Sequence, residues 1–205
     1  MGFGLTVRSW LNIAESSESL MLKYADTSDV KYLNELIKRI GDDLFHYLLS
    51  QIAADLAHDI YQITWEKVIK RRKSYSDTGS FKAWVFKIAR FSLVDEYRRV
   101  GRWHCIEFDE LADQQSTHVD ILMMEQDMKS FDEALNALPF LQREVFILQQ
   151  EGLRLREISN ITQTEMETVK SRLRYAKSTL KQKLLLEDKV SLDDKLSLED
   201  RETVK

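Results

Sequence analysis

The chain has 205 residues, enough for one domain or two small ones that each bury a core, and one proline with six glycines favours an almost wholly helical protein. A lone cysteine excludes an internal disulfide, and no apolar run approaches the roughly 18 residues of a membrane span. The formal net charge of −4 conceals a basic block, with eleven Lys/Arg against four Asp/Glu from Glu66 to His104. An acidic block follows, with nine acids against one lysine from Ile106 to Glu133. A local positive balance of this kind attracts a phosphate backbone.

The sequence shows no pattern that indicates an enzyme. Its four histidines do not have a metal-ligand spacing, and no Ser/His/Asp, paired-carboxylate or phosphate-loop arrangement is visible. We therefore expect no catalytic residue, no metal and no cofactor. A sensor built from His104, Cys105 and His118 is a weaker hypothesis than incidental roles for these three residues. The N-terminus lacks a basic start followed by an apolar core, so no signal peptide is predicted, and one thiol fits a reducing cytoplasm.

The first nineteen residues carry no periodic pattern and are predicted to be a tail. Helical spacing begins near Leu20 and produces a long apolar stripe, which is interrupted at Gly41 and predicts core helices. The stripe consists of Tyr32, Leu33, Leu36, Ile37, Ile40, Leu44, Phe45, Leu48 and Leu49.

A second helix is predicted from about Asp55 to Lys73. Its apolar positions are Leu56, Ile60, Ile63 and Trp65. A polar row at spacings of 4, 3 and 4 lies along one face of the same helix. From the residues alone, a solvated face is the favoured interpretation of this row, with a protein contact as the alternative. The row consists of Asp55, Asp59, Gln62 and Glu66.

Residues 70–79 break this helix with polar turn formers and carry four consecutive basic residues followed by Tyr75. A basic loop with an aromatic ring suits single-stranded DNA, because charge follows the phosphates and a ring can stack on a base. Two interpretations of Tyr75 stay open at this point: a ring that stacks on a base, and a ring that covers the core.

The next stretch, from Phe81 to Arg99, contains no helix breaker and is preceded by Ser80, a suitable N-cap. Apolar residues at 81, 84, 85, 88 and 91 predict one buried side, to which we assign Trp84. Basic residues fall largely between them and predict a positive side, at Lys82, Lys87, Arg90, Arg98 and Arg99.

Residues 105–130 are acidic and polar and are predicted to be a linker, for which a solvated tether is the simplest interpretation. Residues 187–205 form an acidic C-terminal tail with seven acids against four bases. This tail is a helical extension, a disordered segment or a regulator's site.

The chain between these two segments predicts a helix-turn-helix. Pro139 suits the first turn of a helix and Gly152 its end. Two short helices separated by a tight turn follow, and Thr164 with Glu167 predicts a capping box at the start of the second. Arg154 and Gln163 are unusual, because they stand at an N-cap and at a turn position that favours glycine.

In the second helix of this motif, Val169, Leu173, Ala176 and Leu180 fall on successive turns and are predicted to face the core. The opposite side and its flanks are candidates for contacts with base edges and phosphates, since Arg and Lys pair with guanine and Glu with cytosine. The candidates are Glu167, Thr168, Lys170, Ser171, Arg172, Arg174 and Tyr175.

Two signatures resemble those of bacterial sigma factors in the extracytoplasmic-function (ECF) group of the sigma-70 family. The first reads roughly F-x-x-W-[apolar]-x-x-I-A-R, then Asp and a basic pair, and the second A-L-x-x-L-P-x-x-x-R-E-V-x-x-L, then E-I-[AS]…T-V-K-S-R-L. The first matches at Phe81, Trp84, Ile88, Ala89, Arg90, Asp95, Arg98 and Arg99, and the second runs from Ala134 to Leu173.

The resemblance implies an all-α protein of two small helical domains joined by an acidic linker, the second domain being the helix-turn-helix. Residues 20–104 would bind core RNA polymerase and would recognise and melt the −10 element, and residues 131–186 would read the −35 element. The polar row that contains Asp59 would grip the polymerase, although His58 and Ile63 depart from the family pattern there. Promoter DNA near −10 would contact Arg71, Arg72, Lys73, Tyr75, Lys82, Lys87, Arg90, Arg98 and Arg99.

The expected partners are core RNA polymerase, promoter DNA and, as a further candidate, an anti-sigma factor, with no insertion into a membrane. Two other functions stay open from the sequence. One is a stand-alone helix-turn-helix regulator, which would bind promoter DNA without polymerase. The other is a sigma-like decoy that binds an anti-sigma factor, although such a protein has no use for basic residues at 70–73 or on the recognition face.

Overall fold

The computed structural model describes residues 15–76, 79–101 and 126–183, with side chains from residue 131 onward in the last range. These ranges are helical and contain no β-strand, which confirms the predicted all-α class. The greater part of the predicted N-terminal tail and linker, the acidic C-terminal tail, and His104, Cys105 and His118 lie outside them.

In the first group of helices, three helices have a polar N-cap residue whose side chain accepts a backbone hydrogen bond. The hydroxyl of Ser16 accepts from the Ser19 N–H at 3.2 Å, Asp29 Oδ1 from the Lys31 N–H at 3.0 Å, and Ser80 Oγ from the Ala83 N–H at 3.3 Å, so orphan donors of each first turn are satisfied. A short 3₁₀ turn, Arg72–Ser74, occupies part of the predicted basic loop. The helices are α1 (Ser17–Thr27), α2 (Val30–Leu49), α3 (Ala54–Lys70) and α4 (Phe81–Arg99).

The stripe predicted along α2 forms the core. Leu33, Leu36, Ile40, Leu44 and Leu48 are buried, and its other members pack against them in partly buried positions. The interruption of the stripe by glycine has a steric reason. A Cβ on Gly41 would come within 2.7 Å of the Tyr61 hydroxyl oxygen, so the glycine lets α3 approach α2 closely.

The second group contains α5 (Gln126–Asn136), α6 (Phe140–Gln150), α7 (Leu155–Thr162) and a last helix, α8, over 166–183. Pro139 stands immediately before α6, and Gly152 ends it at a φ of +81°, where the Leu153 N–H bonds back to the Leu148 carbonyl at 3.2 Å. The predicted stripe of Val169, Leu173, Ala176 and Leu180 is buried as expected.

The two groups pack on each other through α4. This helix contacts α1, α2 and α3 within the first group and α7 in the second, while α6 contacts α2. A helix with neighbours on several sides buries more than one face, and α4 buries residues from Phe81 to Tyr97 around most of its circumference.

Candidate nucleic-acid and protein interfaces

Tyr75 lies in an aromatic cluster at the start of α4. Its ring meets Phe81 edge-on with 5.7 Å between centroids and Trp84 with 5.3 Å, and its hydroxyl donates to the Gly79 carbonyl at 3.3 Å. Only 7% of the residue is exposed, so it covers the core, as one of its two predicted interpretations required. Trp84, assigned to the core from its spacing, is half-buried in the same cluster.

The basic turn before this cluster presents Arg71 and Lys73 to solvent. Arg72 is held against the domain, since its Nε donates to Ser28 Oγ at 3.2 Å and its Nη1 to the Ile69 carbonyl at 3.0 Å. Two of the three predicted cations of this turn therefore extend freely into solvent, and the third braces the turn.

One side of α4 combines cations with an exposed aromatic ring. Lys87 is half-buried, and Arg98 and Arg99 are exposed near the C-terminal end, where Arg99 pairs with Glu96 through two N–O contacts of 2.8 and 2.6 Å. Phe91, which the spacing assigned to the core, is 45% exposed on this side. It lies four residues after Lys87 and seven before Arg98, on neighbouring turns of one face. The apolar spacing continues to Phe91, but the buried stripe itself ends at Ile88, so Phe91 was wrongly assigned to the core.

Arg90 was predicted to lie on the positive side of α4, but it is buried. It is 7% exposed, and its Nε donates to Glu144 Oε1 of α6 at 2.8 Å. The same carboxylate oxygen accepts from the Tyr47 hydroxyl at 3.1 Å, so one acid of the second group joins two residues of the first. Arg90 points away from solvent because α6 and α7 cover this side of α4, and no local pattern in α4 reports that a second group of helices packs there.

Lys82, another predicted cation of α4, also faces the second group. Its Nζ lies 2.5 Å from Asp43 Oδ2 and 3.7 Å from Glu151 Oε2, and it donates to the Glu151 backbone carbonyl. The lysine side chain is four-fifths buried, so these acids take the place of water around it.

Burial and charge shift the pKa values of this contact. Burial raises the pKa of the fully buried Tyr47 well above its ordinary 10, and the nearby Glu144 charge raises it further. Burial alone would lower the pKa of Arg90, but Glu144 outweighs it and the pKa is raised. Burial and Asp43 raise the pKa of Glu151, against the pull of Lys82. The contact thus contains one well-matched ion pair and one carboxylate that is poorly solvated.

The recognition face of α8 remains open. Glu167, Lys170, Arg174 and Tyr175 are exposed, with Tyr175 at 55%, and Thr168 and Ser171 are half-buried beside them. Lys170 Nζ contacts Glu167 Oε1 at 2.7 Å, and the Arg174 guanidinium lies 5.2 Å from the centre of the Tyr175 ring. These contacts hold the long side chains over a solvent-facing surface.

Arg172 differs from the other predicted members of this face, because it is 8% exposed. At 100° per residue it lies next to Leu173 and Val169 on the edge of the buried stripe, so its stem packs with the core.

The predicted capping box is replaced by other bonds: Thr164 Oγ1 pairs with Thr162 Oγ1 at 2.9 Å.

The turn before α8 places a residue other than glycine in a conformation that favours glycine. Gln163 adopts the left-handed conformation, with φ +57° and ψ +38°, where glycine is usual. Its Nε2 donates to the Asn160 carbonyl at 2.6 Å, and its own N–H to Ser159. At the start of α7, the Arg154 N–H donates to Glu157 Oε2 at 2.7 Å, which supplies part of the missing N-cap.

On α3, the polar row is a continuous exposed face. Asp55, Asp59, Gln62 and Glu66 all face solvent, while Ala57, Ile60, Thr64, Trp65 and Val68 are buried opposite. Ile63, one of the apolar positions of this helix and a departure from the family pattern, is exposed beside the row. An acidic face with an exposed apolar side chain suits a protein partner better than DNA.

Within the residues that the structure describes, no helix has both the length and the apolar character to cross a membrane, and no group of three or more His, Cys, Asp or Glu side chains forms a metal site.

Comparison with known proteins places both groups of helices in one family. Residues 36–103 match the family model of sigma-70 region 2, and residues 128–180 match that of sigma-70 region 4. The chain is 29% identical over 130 residues to the RNA polymerase sigma factor SigV of Bacillus subtilis (strain 168), covering 63% of this chain and 74% of SigV.

Two solved structures resemble the fold. The sigma factor RpoE of Bartonella quintana, crystallised with the anti-sigma factor NepR, has a TM-score of 0.60 at 26% identity, over 76% of this chain and 98% of RpoE. CnrH, solved with the cytosolic domain of CnrY, has a TM-score of 0.60 at 20% identity, over 85% of this chain and 99% of CnrH. The second likeness concerns the fold alone.

Proposed function

This chain belongs to the sigma-70 family and to its ECF group, and from that premise we propose which of its surfaces bind core RNA polymerase and which bind promoter DNA. The protein is an RNA polymerase sigma factor, a transcription regulator that directs core polymerase to specific promoters. The order of region 2 before region 4, with an open recognition face on α8, is the observation that carries the assignment.

The −35 element is read by α8. Lys170 and Arg174 suit guanine or phosphate, Glu167 suits cytosine, and Tyr175 offers a ring and a hydroxyl. The pairing of Glu167 with Lys170 and the stacking of Arg174 on Tyr175 reduce the side-chain freedom that is lost on binding. Thr168 and Ser171 add short polar contacts, and Arg172 acts mainly by supporting the helix.

The melted −10 strand follows the exposed side of α4 and the basic turn before it. Arg71, Lys73, Lys87, Arg98 and Arg99 track the phosphates, and Phe91 provides the exposed ring on which a base can stack. Tyr75 serves beneath this surface, where it fixes the turn against Trp84. Stacking on Phe91 offsets part of the few kcal/mol needed to unstack a base.

Core polymerase is gripped by the exposed face of α3, through Asp55, Asp59, Gln62 and Glu66 with Ile63 among them. An apolar side chain within a polar row supplies buried area, and the acids select a basic partner surface. RpoE is solved with an anti-sigma factor, and a partner of that class is a further proposal for this chain. The site of action is the cytoplasm, and the protein itself catalyses nothing.

Transcription reconstituted from purified core polymerase and genomic fragments tests the assignment. We expect defined start sites only when this protein is added, and loss of polymerase binding in Asp59→Arg. Asp26→Arg, the same change at an exposed site on α1, should leave both intact. Tight promoter binding without polymerase would instead identify a stand-alone regulator, and binding of neither polymerase nor DNA would identify a decoy.

A further inference from the structure

Helix α1 contacts both ends of the segment that joins α3 to α4. At the first end, Ser28 Oγ accepts a hydrogen bond from Arg72 Nε at 3.2 Å, and at the other end Glu18 Oε1 accepts one from the Phe81 N–H at 3.0 Å. These partners are 44 and 63 positions apart in the sequence, and α1 also packs on the 3₁₀ turn that Arg72 begins. Neither Glu18 nor Ser28 belongs to the surfaces proposed above for polymerase or for DNA.

Ser28 ends α1 in a backbone conformation that favours glycine. Its φ is +57° and its ψ is +19°, in the left-handed region, and its N–H donates to the Tyr24 carbonyl at 2.9 Å. Glycine adopts this conformation without strain, whereas serine adopts it at a cost in free energy. What serine adds is a hydroxyl, and that hydroxyl binds Arg72. The contribution of this residue therefore lies in its side chain and not in its backbone.

Glu18 places a carboxylate at the N-terminal end of α4. The first N–H groups of a helix have no partner within it, and this end of a helix carries a partial positive charge. Ser80 Oγ satisfies one of these donors, the Ala83 N–H, and Glu18 satisfies another, that of Phe81. Burial alone would raise the pKa of Glu18, but hydrogen bonds from the backbone N–H groups of Phe81 and of Glu18 itself outweigh it, and the pKa is lowered. Glu18 is therefore negatively charged at neutral pH.

The two contacts fix the turn that presents cations to solvent. Arg72 is held by Ser28 and by the Ile69 carbonyl, and its neighbours in the chain, Arg71 and Lys73, are both exposed. Because the chain is anchored to α1 on both sides of the turn, these two cations project from a backbone with a fixed position relative to α4. A surface that is ordered in advance loses less conformational entropy when it binds a ligand. Helix α1 therefore lowers the entropic cost of binding a DNA strand at this turn.

We propose that α1 is a brace for promoter melting, in which Ser28 and Glu18 are positioning residues that hold the basic turn and the start of α4 without contacting DNA. The proposal rests on the function proposed above, because the braced surface is the one assigned to the melted −10 strand. The −35 contact of α8 and the polymerase contact of α3 lie on other helices. The brace should therefore accelerate strand separation and leave the first binding of the promoter unchanged.

The kinetics of open-complex formation by the reconstituted holoenzyme test the brace. The dependence of the observed rate on holoenzyme concentration separates the affinity of the closed promoter complex from the rate constant of melting. Glu18→Ala should lower the melting rate constant by about tenfold, as expected for the loss of a hydrogen bond to a charged group. Glu18→Gln should recover most of the rate, since an amide oxygen also accepts from an N–H. The affinity of the closed complex should stay the same in both variants.

A glycine at position 28 separates positioning from stability. Ser28→Gly removes the strain together with the hydroxyl, so the free energy of unfolding should stay the same or rise. The melting rate constant should nevertheless fall by about threefold, because Arg72 loses its partner. Ser28→Asn should restore the rate, since asparagine tolerates the left-handed conformation and its amide oxygen can accept from Arg72. A residue that only supported folding would leave melting by Ser28→Gly unchanged, and that result would overturn the brace.

Glu35→Ala is the matched control for Glu18→Ala. It removes a carboxylate from an ion pair confined to α2, with Arg39, and should leave the melting rate constant unchanged. If the holoenzyme melts promoters and Glu18→Ala and Ser28→Gly do so at the wild-type rate, the proposed function stands and the brace alone fails.

Hydrogen exchange in the free protein provides a readout without polymerase. The Phe81 amide should exchange faster in Glu18→Ala than in the wild-type protein, and equal exchange would show that the contact is absent in solution. If no holoenzyme forms, the proposed function fails and the role of α1 in melting fails with it, while exchange at Phe81 still reports the contact itself.

Discussion

The helices α4 and α8 both carry basic residues between apolar ones, yet they differ in what those residues contact. On α8 the neighbours cover one stripe, and the opposite face keeps its charges in water. On α4 the neighbours cover two sides, and Arg90 and Lys82 are paired with acids of region 4. A cation on an amphipathic helix is therefore available to DNA only where no second domain packs.

Arginine has two different physical roles on these two helices. A guanidinium in water, such as that of Arg174, contributes little to folding and remains available to a ligand. A buried guanidinium such as that of Arg90 contributes to stability only as long as its acid partner stays in place. Substitution by alanine should therefore lower the free energy of unfolding strongly at Arg90 and hardly at all at Arg174.

The largest effect is expected from Arg90→Ala. It leaves Glu144 buried without a cation, a change that typically costs about 3 kcal/mol or more, up to the free energy at which region 4 undocks. Arg174→Ala should cost less than about 0.5 kcal/mol, as an exposed surface change. Urea unfolding followed by circular dichroism measures both. Equal losses for the two variants would contradict the contrast between the helices.

Promoter recognition, in contrast to stability, should depend strongly on Arg174, and Arg174→Glu tests this. Loss of a base or phosphate contact costs about 1–3 kcal/mol, and the reversed charge adds repulsion, so promoter-specific initiation should fall by about 100-fold. Binding to core polymerase should stay intact. Lys38→Glu makes the same change of charge at an exposed site on α2 and is the control. Undiminished initiation by Arg174→Glu would remove the assignment of the recognition face.

Local sequence patterns predicted most of the fold. Spacing of three and four residues identified the core stripes of α2 and α8, and Ser80 and Gly152 marked the ends of helices where they were expected. Gln163, noted as unusual at a turn position that favours glycine, does adopt the left-handed conformation. All of these features depend on residues within one or two turns, which a single sequence contains in full.

The remaining errors arise where distant segments meet. Arg90 and Glu144 are 54 positions apart, and nothing in either segment reports that they pair. Phe91 was assigned to the core because apolar spacing continued, although α4 leaves that side open. Periodicity indicates that one face is buried, but it does not indicate whether a second domain covers another face.

Phe91 lies on the exposed side of α4, whose other sides are covered. Phe91→Ala should slow promoter melting by about tenfold or more, in keeping with about 1–3 kcal/mol per stacked base. Phe91→Tyr should restore the rate, since it keeps the ring. Leu22→Ala, at a similarly exposed apolar site, is the control. Permanganate footprinting of unpaired thymines reports melting, and equal reactivity for all four proteins would exclude stacking on this ring.

The pH dependence of stability tests the buried contact that Tyr47 makes with Glu144. The pKa of Tyr47 is raised in the folded protein, so its contribution is complete below pH 10 and is lost as the pH rises towards the raised value. The loss should approach about 1.4 kcal/mol per pH unit while Tyr47 remains neutral. Urea unfolding at pH 9 to 11 measures the slope. Tyr47→Phe should have a shallower slope, and identical slopes would show that Tyr47 ionises freely in the folded state.

The smallest effect is expected at the turn that positions the open face. A residue other than glycine in the left-handed conformation loses about 1 kcal/mol, and Gln163 recovers part of this through its bond to the Asn160 carbonyl. Gln163→Gly should therefore raise the unfolding free energy by only about 0.5 kcal/mol, and Gln163→Ala should lower it, because alanine keeps the strain and lacks the bond. Gln163→Asn should lie between them, since asparagine tolerates this conformation better than alanine does. Thermal unfolding gives the order, and a Gln163→Ala variant as stable as Gln163→Gly would mean that backbone strain at this turn has no measurable influence on region 4.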